Sequence, residues 1–168
     1  FVKRTRENNV KVSLDPNVRP SLIAEPDVYR NRIKNLMSEV DILKLSDEDL
    51  LWLFNDSADE ANALAELGAI ARAEVVILTR GSRGSSIWHS GKWHEAPSHQ
   101  VEKLSDTVGA GDTFMASVLV WLIKNEKLNR LASLELREKL DLQYYAGKAA
   151  SLNCEKQGCN PPWENELL

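Results

Sequence analysis

Residues 106–114 read D-T-V-G-A-G-D-T-F, with two carboxylates either side of a Gly-Ala-Gly step and a long apolar run after them. Glycines just ahead of a helix let the main chain approach a ligand closely and adopt φ values closed to other residues. The first N–H groups of that helix have no intrahelical acceptor and carry the positive end of its dipole. Gly109, Ala110 and Gly111 are therefore candidate donors of an anion hole, and phosphate is the usual occupant of such a site. Asp112, at the helix start, has two readings. A carboxylate in the first turn complements the dipole. It is equally placed to act as a general base on a hydroxyl that attacks a phosphoryl group, while the N–H donors hold the growing charge. In a loose phosphoryl-transfer transition state the proton leaves late and positioning supplies most of the effect. A positioned base contributes roughly 10²–10⁴ in rate. The chain has no G-x4-GK[ST] run, and the third glycine of G-x-G-x-x-G is missing, so the stretch is neither a P-loop nor a dinucleotide fingerprint.

The totals agree with a small-molecule site. Lys plus Arg is 21 and Asp plus Glu is 25 in 168 residues, a net charge of −4. That balance argues against nucleic acid as a partner, because phosphate neutralisation favours clustered positive charge. Hydrophobic residues at 43% and charged residues at 27% suit one globular domain with a sizeable core. Cys154 and Cys159, spaced C-x4-C with no other cysteine, form neither a disulfide framework nor a zinc site and read as reduced thiols near a helix end. His89, His94 and His99 lack the spacing of metal ligands and read as surface residues of strands and loops. No run approaches the ~20 apolar residues of a membrane span, and the first ten residues lack the apolar core of a signal peptide. The expectation is a cytoplasmic protein with no membrane partner.

Strands and helices alternate around these residues. N-V-K-V-S-L-D-P-N (9–17) predicts a strand ending in a turn, and residues 26–39 predict a helix with Pro26 near its start. Residues 40–45 predict a second strand. Ser46 then caps a helix with Asp49 at its third position, an acidic relative of the capping box. Residues 58–73 predict a helix broken near Gly68. Residues 74–81 predict a third strand, and the unbroken Val75-Val76-Ile77-Leu78 implies burial on both faces. Residues 85–96 predict a hairpin turning at Ser90-Gly91. The run after Gly111, apolar on all sides, predicts a helix inside a layered structure, and residues 133–153 predict a further amphipathic helix. This order implies an α/β fold with a mainly parallel sheet. Three or four parallel strands alone would leave an exposed edge, so either another chain or more of the protein is expected to cover it.

Several segments, taken together and in order, resemble the ribokinase-like (PfkB) carbohydrate kinases. D-T-V-G-A-G-D resembles their D-T-x-G-A-G-D signature. S-L-D-P-N-V-R-P-S-L-I (13–23) resembles the D-P-N-x-R turn of the fructokinase and 2-keto-3-deoxygluconate kinase branch. D-I-L-K-L-S-D-E-D-L (41–50), V-I-L-T-R-G-S-R-G-S (76–85) and C-E-K-Q-G-C-N-P-P (154–162) resemble the segment before the nucleotide site, the strand and G-x-x-G loop along the nucleotide, and the C-terminal loop. The resemblance covers nearly the whole chain but only the C-terminal part of a family member. It implies a three-layer fold, incomplete here, with N-terminal strands, lid and much of the sugar site outside these residues.

What the resemblance implies for single residues follows position by position. Asp112 takes the role of catalytic base, and Gly109, Ala110 and Gly111 that of the anion hole. Thr79, Gly81 and Gly84 match the nucleotide loop, though both glycines are also ordinary turn residues; Arg80 and Arg83 are phosphate-side charges or solvated arginines. Arg19 matches a position near the sugar or its acidic group, where a guanidinium can fork onto an oxyanion. Asp15 and Asn17 shape the turn, with a phosphate-side role as the alternative for Asn17. Asp106 and the Val108 main chain match a monovalent-cation site, with the loop 154–158 as its other half; the alternative for Asp106 is a turn-former. Relatives with N-x-x-E have S-x-x-D here, so Asp49 either acts on Mg²⁺ through water or only caps the helix. The activity implied is transfer of the ATP γ-phosphoryl to a sugar hydroxyl with Mg²⁺, favouring a fructose or 2-keto-3-deoxygluconate-like acceptor, with room for a K⁺ site and a homodimer in the full-length form. The rival reading is a nucleotide-binding fragment or a non-catalytic regulatory relative without the sugar site. By itself the 168-residue chain is expected to turn over little or no sugar.

Overall fold

A computed structural model describes Thr5, residues 8–55 and residues 59–167. These fall into two compact units, Phe1–Leu78 and Thr79–Leu168.

The first unit begins with β1 (Ser13–Leu14), much shorter than the alternation of Val10, Val12 and Leu14 predicts. The ladder is brief because Val10 is exposed and Val12 bonds to the chain just ahead of the next strand: its carbonyl accepts the N–H groups of Asp41 and Ile42. β1 runs parallel to β2 (Ile42–Ser46), with Ser13 opposite Ile42 and Leu14 opposite Leu43. β3 (Val75–Thr79) is the next neighbour of β2. Asp41 fastens the starts of all three: its carboxylate accepts the Val12 N–H at 2.8 Å and Lys11 Nζ at 3.1 Å, and its carbonyl accepts the N–H groups of Glu74 and Val75. Ile42, Leu43, Leu45, Val75, Ile77 and Leu78 are buried, as the unbroken apolar run of β3 predicts. Each such side chain removed from water contributes about 1.5–3 kcal/mol.

Three helices belong to this unit. α1 (Pro26–Met37) opens with proline in its first turn and buries Ile33 and Met37. α2 (Asp47–Leu53) starts at Ser46 through a complete capping box with Asp49. α3 (Glu60–Ile70) is capped by Asp59 and passes through Gly68 without the predicted break. A single glycine costs a helix about 1 kcal/mol against alanine, which the buried Ala63 and Leu67 offset. Ala58, the predicted start of this helix, lies outside the described residues, as does most of the N-terminal stretch read for a signal peptide.

In the second unit β4 (Ser85–His89) and β5 (Lys92–Ala96) form the expected antiparallel hairpin, and Trp88 faces Trp93. Ser90 and Gly91 both take positive φ, 49° and 82°, as a two-residue hairpin turn requires. α4 (Ala110–Lys124) and α5 (Leu136–Cys154) pack along each other, and α5 also packs on the hairpin. α4 buries Phe114, Met115, Val118 and Leu122 but exposes Val120 and Ile123, so within this unit the apolar helix is covered on one side only. α5 anchors to β4 by Lys139 Nζ donating to the Trp88 carbonyl at 3.1 Å and Gln143 Nε2 donating to Ser85 Oγ at 2.9 Å. A short α6 (Glu164–Leu167) is tied back by ion pairs Lys124–Glu164 and Lys156–Glu166. No helix among the described residues is long and apolar enough to cross a membrane.

Candidate active site

Gly109 is the N-cap of α4, in left-handed conformation at φ 78° and ψ 0°. Glycine is required here twice over. A Cβ would sit 2.4 Å from Cys159 Sγ and 2.8 Å from Cys159 Cβ, and the positive φ itself disfavours any side chain. The Ala110 N–H turns back to the Thr107 carbonyl at 3.2 Å, and the first bond of the helix runs from the Thr113 N–H to the Gly109 carbonyl at 2.8 Å. The N–H groups of Gly111 and Asp112 lie between these two and have no acceptor within the helix. Of the three residues expected to form the anion hole, Ala110 thus has its N–H on Thr107, while that of Gly111 has no acceptor within the helix. Asp112 is exposed, in the first turn beside them.

The turn ahead of α4 is held by Asp106. Its carboxylate accepts the Val108 N–H on one oxygen and the Gly158 N–H on the other, each at 3.0 Å. The Val108 bond, then the Gly158 bond, holds the Asp106 carboxyl below the usual carboxylate range against the opposing effect of partial burial. The N–H groups of Ser105 and Asp106 both donate to the Cys154 carbonyl. The signature turn and the C-terminal loop, the two halves of the cation site that the resemblance implies, are therefore hydrogen-bonded to each other.

Asn153 completes this join and was missed in the sequence. It is fully buried at the end of α5. Its Nδ2 donates to the Val108 carbonyl at 2.8 Å, and its Oδ1 accepts from the Asn160 N–H at 3.0 Å and from Thr113 Oγ1 at 3.3 Å. The available signal was a polar residue in register with the buried Leu142, Ala146 and Ala149 of an amphipathic helix. Cys154 and Cys159 are free thiols, and burial, then the nearby Asp106 and Glu155 charges, pushes the Cys154 thiol up.

The G-x-x-G loop is a tight 3₁₀ turn, Gly81–Arg83. The Arg80 N–H donates to the Gly84 carbonyl at 2.8 Å and the Gly84 N–H to the Gly81 carbonyl at 3.0 Å. Gly84 lies under the exit of β5 at φ 90°, where a Cβ would meet the Ala96 carbonyl oxygen at 2.1 Å; around Gly81, at φ 53°, there is open space. Arg80 Nη1 donates to Ser86 Oγ, so its guanidinium is turned onto β4. Thr79, at the end of β3, is half-buried.

The chain between the two loops runs along α5. His99 sets its ring edge-on to Tyr144 with centroids 4.4 Å apart and its Nε2 3.1 Å from the Tyr144 carbonyl. Gly147 makes room, since a Cβ there would come 3.3 Å from the ring. His99 is thus half-buried in the loop after β5, with one side of its ring packed on α5. Burial lowers its pKa, the Tyr144 carbonyl opposes this and the Lys148 charge adds to it. Further on, the Glu102 N–H donates to Glu155 Oε1 at 2.8 Å.

In the first unit, Asp49 is buried, with Oδ1 accepting the Val18 N–H at 2.8 Å and Oδ2 the Ser46 N–H at 3.2 Å. Arg19 is exposed and donates from Nη1 to the carbonyls of Val18 and Asn17, at 3.0 and 3.2 Å. Asn17 takes a φ of 44°, and Asp15 pairs with Lys44 Nζ at 2.7 Å, so both shape the turn. Among the described residues no group of three His, Cys, Asp or Glu side chains is arranged to hold a metal ion.

Residues 1–166 match the pfkB family carbohydrate kinase profile. A fructokinase of Rhizobium leguminosarum bv. trifolii is 40% identical over 126 residues, 74% of this chain and 38% of its own length. Fructokinase-2 of Zea mays is 29% identical over 161 residues, 95% of this chain and 46% of its own. The chain thus spans half or less of the length of these relatives. Among solved structures, the aminoimidazole riboside kinase of Salmonella enterica, complexed with aminoimidazole riboside and an ATP analog, superposes with a TM-score of 0.82 at 20% identity, over 99% of this chain and 54% of that one. Vibrio cholerae O395 fructokinase, in a fructose, ADP and potassium ion bound form, gives 0.77 at 22% identity, over 94% and 48%. At these identities the likeness establishes the ribokinase-like α/β fold.

Proposed function

From a chain that belongs to the pfkB family of carbohydrate kinases, we propose that these residues form the phosphoryl-transfer part of an ATP-dependent sugar kinase with a fructose-like acceptor. The observation that carries the reading is the start of α4. A left-handed Gly109 delivers the chain into a helix whose first free N–H groups stand beside an exposed first-turn carboxylate, Asp112. Free N–H groups at a helix start favour phosphate, and a carboxylate beside them can take a proton from an attacking hydroxyl.

In this mechanism Asp112 receives the hydroxyl proton as the sugar oxygen bonds to the γ-phosphorus and the bond to the ADP oxygen breaks. The N–H groups of Gly109, Gly111 and Asp112, with that of Ala110 shared with the Thr107 carbonyl, hold the charge on the transferred group. Thr79, Gly81 and Gly84 form the nucleotide loop, its shape fixed by the close approach of Gly84 to Ala96. Mg²⁺ arriving with ATP would supply charge neutralisation on the phosphates. Asp49, whose oxygens already accept main-chain N–H groups, has only remaining lone pairs to offer a Mg²⁺-bound water. A monovalent cation such as K⁺ is assigned to the junction of Asp106 and the Val108 carbonyl with the loop 154–158, because the Gly158 N–H bond to Asp106 brings the two segments together. Arg19 is assigned to the acceptor sugar. The fructose preference rests on the 40% identical fructokinase and the D-P-N-x-R turn. The setting proposed is the cytoplasm, with a homodimer as the full-length assembly.

The test is an assay of the full-length gene product with MgATP against fructose, ribose, 2-keto-3-deoxygluconate and adenosine. Fructose or the keto-sugar acid is expected to be phosphorylated best; absence of phosphate transfer to all four contradicts the proposal. The 168-residue chain alone is expected to bind MgATP without turnover. Binding alone in the full-length protein as well would favour the non-catalytic alternative.

A further inference from the structure

We infer that Asn153 is a positioning residue for phosphoryl transfer, a role that rests on the kinase reading above. Three segments meet on its carboxamide, one on its Nδ2 and two on its Oδ1. The Val108 carbonyl, one residue ahead of the Gly109 N-cap, is held by Nδ2 at 2.8 Å. Asn160, next to the Cys159 that packs on Gly109, is held through its N–H by Oδ1 at 3.0 Å. Thr113, one residue after Asp112 and the first to bond within α4, donates its hydroxyl to the same Oδ1 at 3.3 Å.

The geometry brackets the reacting residues. Val108 lies four positions before Asp112 and Thr113 one position after it, so the carboxamide spans the turn that carries Gly109, Ala110, Gly111 and Asp112. The side chain is fully buried, and a buried amide with donor and acceptor both engaged is held to one orientation. A carboxylate at this position would repel the Val108 carbonyl, a hydroxyl is too short to reach all three partners, and an apolar side chain would leave buried groups without partners. Asparagine supplies one donor and one acceptor on a planar group at the required reach. Since an error of about 1 Å in a reacting group costs on the order of 10² in rate, a residue that fixes both flanks of Asp112 acts on the rate without touching substrate.

The experiment uses the full-length protein and the variants Asn153→Asp and Asn153→Ser, each with and without Asp112→Asn. Turnover is measured per nucleotide-binding site, at a temperature where every variant is folded. Asn153→Asp keeps the acceptor and loses the donor; Asn153→Ser avoids a buried charge, should the first fail to fold. The expected result is a fall of about 10–100-fold in kcat with little change in the KM for sugar. In the Asp112→Asn background the further fall is expected to be much smaller, because both changes act through one group. Full additivity, or a kcat within about twofold of wild type in both variants, overturns the inference. Hydrogen exchange separates this from failure of the kinase reading. Whether or not any sugar is phosphorylated, residues 106–113 and 158–160 are expected to exchange faster in both variants while β4 and β5 do not. Unchanged exchange there overturns the positioning role.

Discussion

Asp106 accepts the main-chain N–H of Gly158 at 3.0 Å, across 52 residues of sequence. This bond sets the C-terminal loop against the turn that starts α4. Its strength depends on charge, since the Val108 and Gly158 N–H groups hold the Asp106 carboxyl below its usual range. A carboxylate with a depressed folded pKa stabilises fully above its unfolded value, about 3.9, and loses that contribution as pH falls through the lower folded value. Asp106→Asn, with one acceptor oxygen in place of two, is expected to unfold at lower temperature than wild type at neutral pH. The difference is expected to shrink as the pH is lowered through the acid range, in thermal melts of both proteins; a constant difference contradicts it.

The two glycines of the G-x-x-G loop are expected to respond differently. Gly81→Ala meets open space and only the strain of a φ of 53°, about 1–3 kcal/mol. Gly84→Ala adds a Cβ that would stand 2.1 Å from the Ala96 carbonyl oxygen, so the exit of β5 must move. Melting temperatures and MgATP titrations of the two variants are expected to show the larger loss for Gly84→Ala in both.

Asp49 is a cap whose second oxygen reaches out of its own helix to Val18. Ser46→Ala removes one side of the capping box and is expected to cost about 1 kcal/mol. Asp49→Asn turns an amide donor toward one of two buried N–H groups and is expected to cost about 1–3 kcal/mol. Chemical denaturation gives both values. The Mg²⁺ concentration for half-maximal activity of the full-length protein is expected to stay unchanged in Asp49→Asn; a rise would assign the carboxylate to Mg²⁺ through water.

His99 titrates in the opposite sense from an exposed histidine beside an acid. Burial, the largest cause, lowers its pKa. The folded protein therefore favours its neutral form, and stability is lost as pH falls below the unfolded value near 6.5 toward the lower folded value. His99→Gln is expected to remove part of the loss in melting temperature seen between about pH 7 and about pH 5. Equal losses in both proteins would show that other groups carry the acid sensitivity.

Much of this arrangement was readable in the sequence, for identifiable reasons. The Ser46–Asp49 cap, the Ser90-Gly91 turn and the buried run of β3 depend on neighbours in sequence, where spacing carries the information. β1 was over-read because alternating apolar residues mark a half-buried strand, whereas Val10 here is exposed and Val12 spends its hydrogen bonds on Asp41. Gly68 was over-read as a breaker, since tertiary burial outweighs a helix penalty of about 1 kcal/mol. His99 and Asn153 were illegible as functional or packing residues because their partners are remote in sequence: Tyr144 for one, Val108 and Thr113 for the other. The backbone around Asp112 could be anticipated from glycine spacing. That the Ala110 N–H turns back to Thr107 could not.

The proposed role of Asp112 is to take the proton from the acceptor hydroxyl. The most direct measurement compares kcat for fructose phosphorylation by full-length wild type and Asp112→Asn with saturating MgATP, with nucleotide affinity measured on the same samples. A fall of about 10²–10⁴ in kcat with nucleotide binding retained is expected. Equal turnover by the two proteins would contradict it.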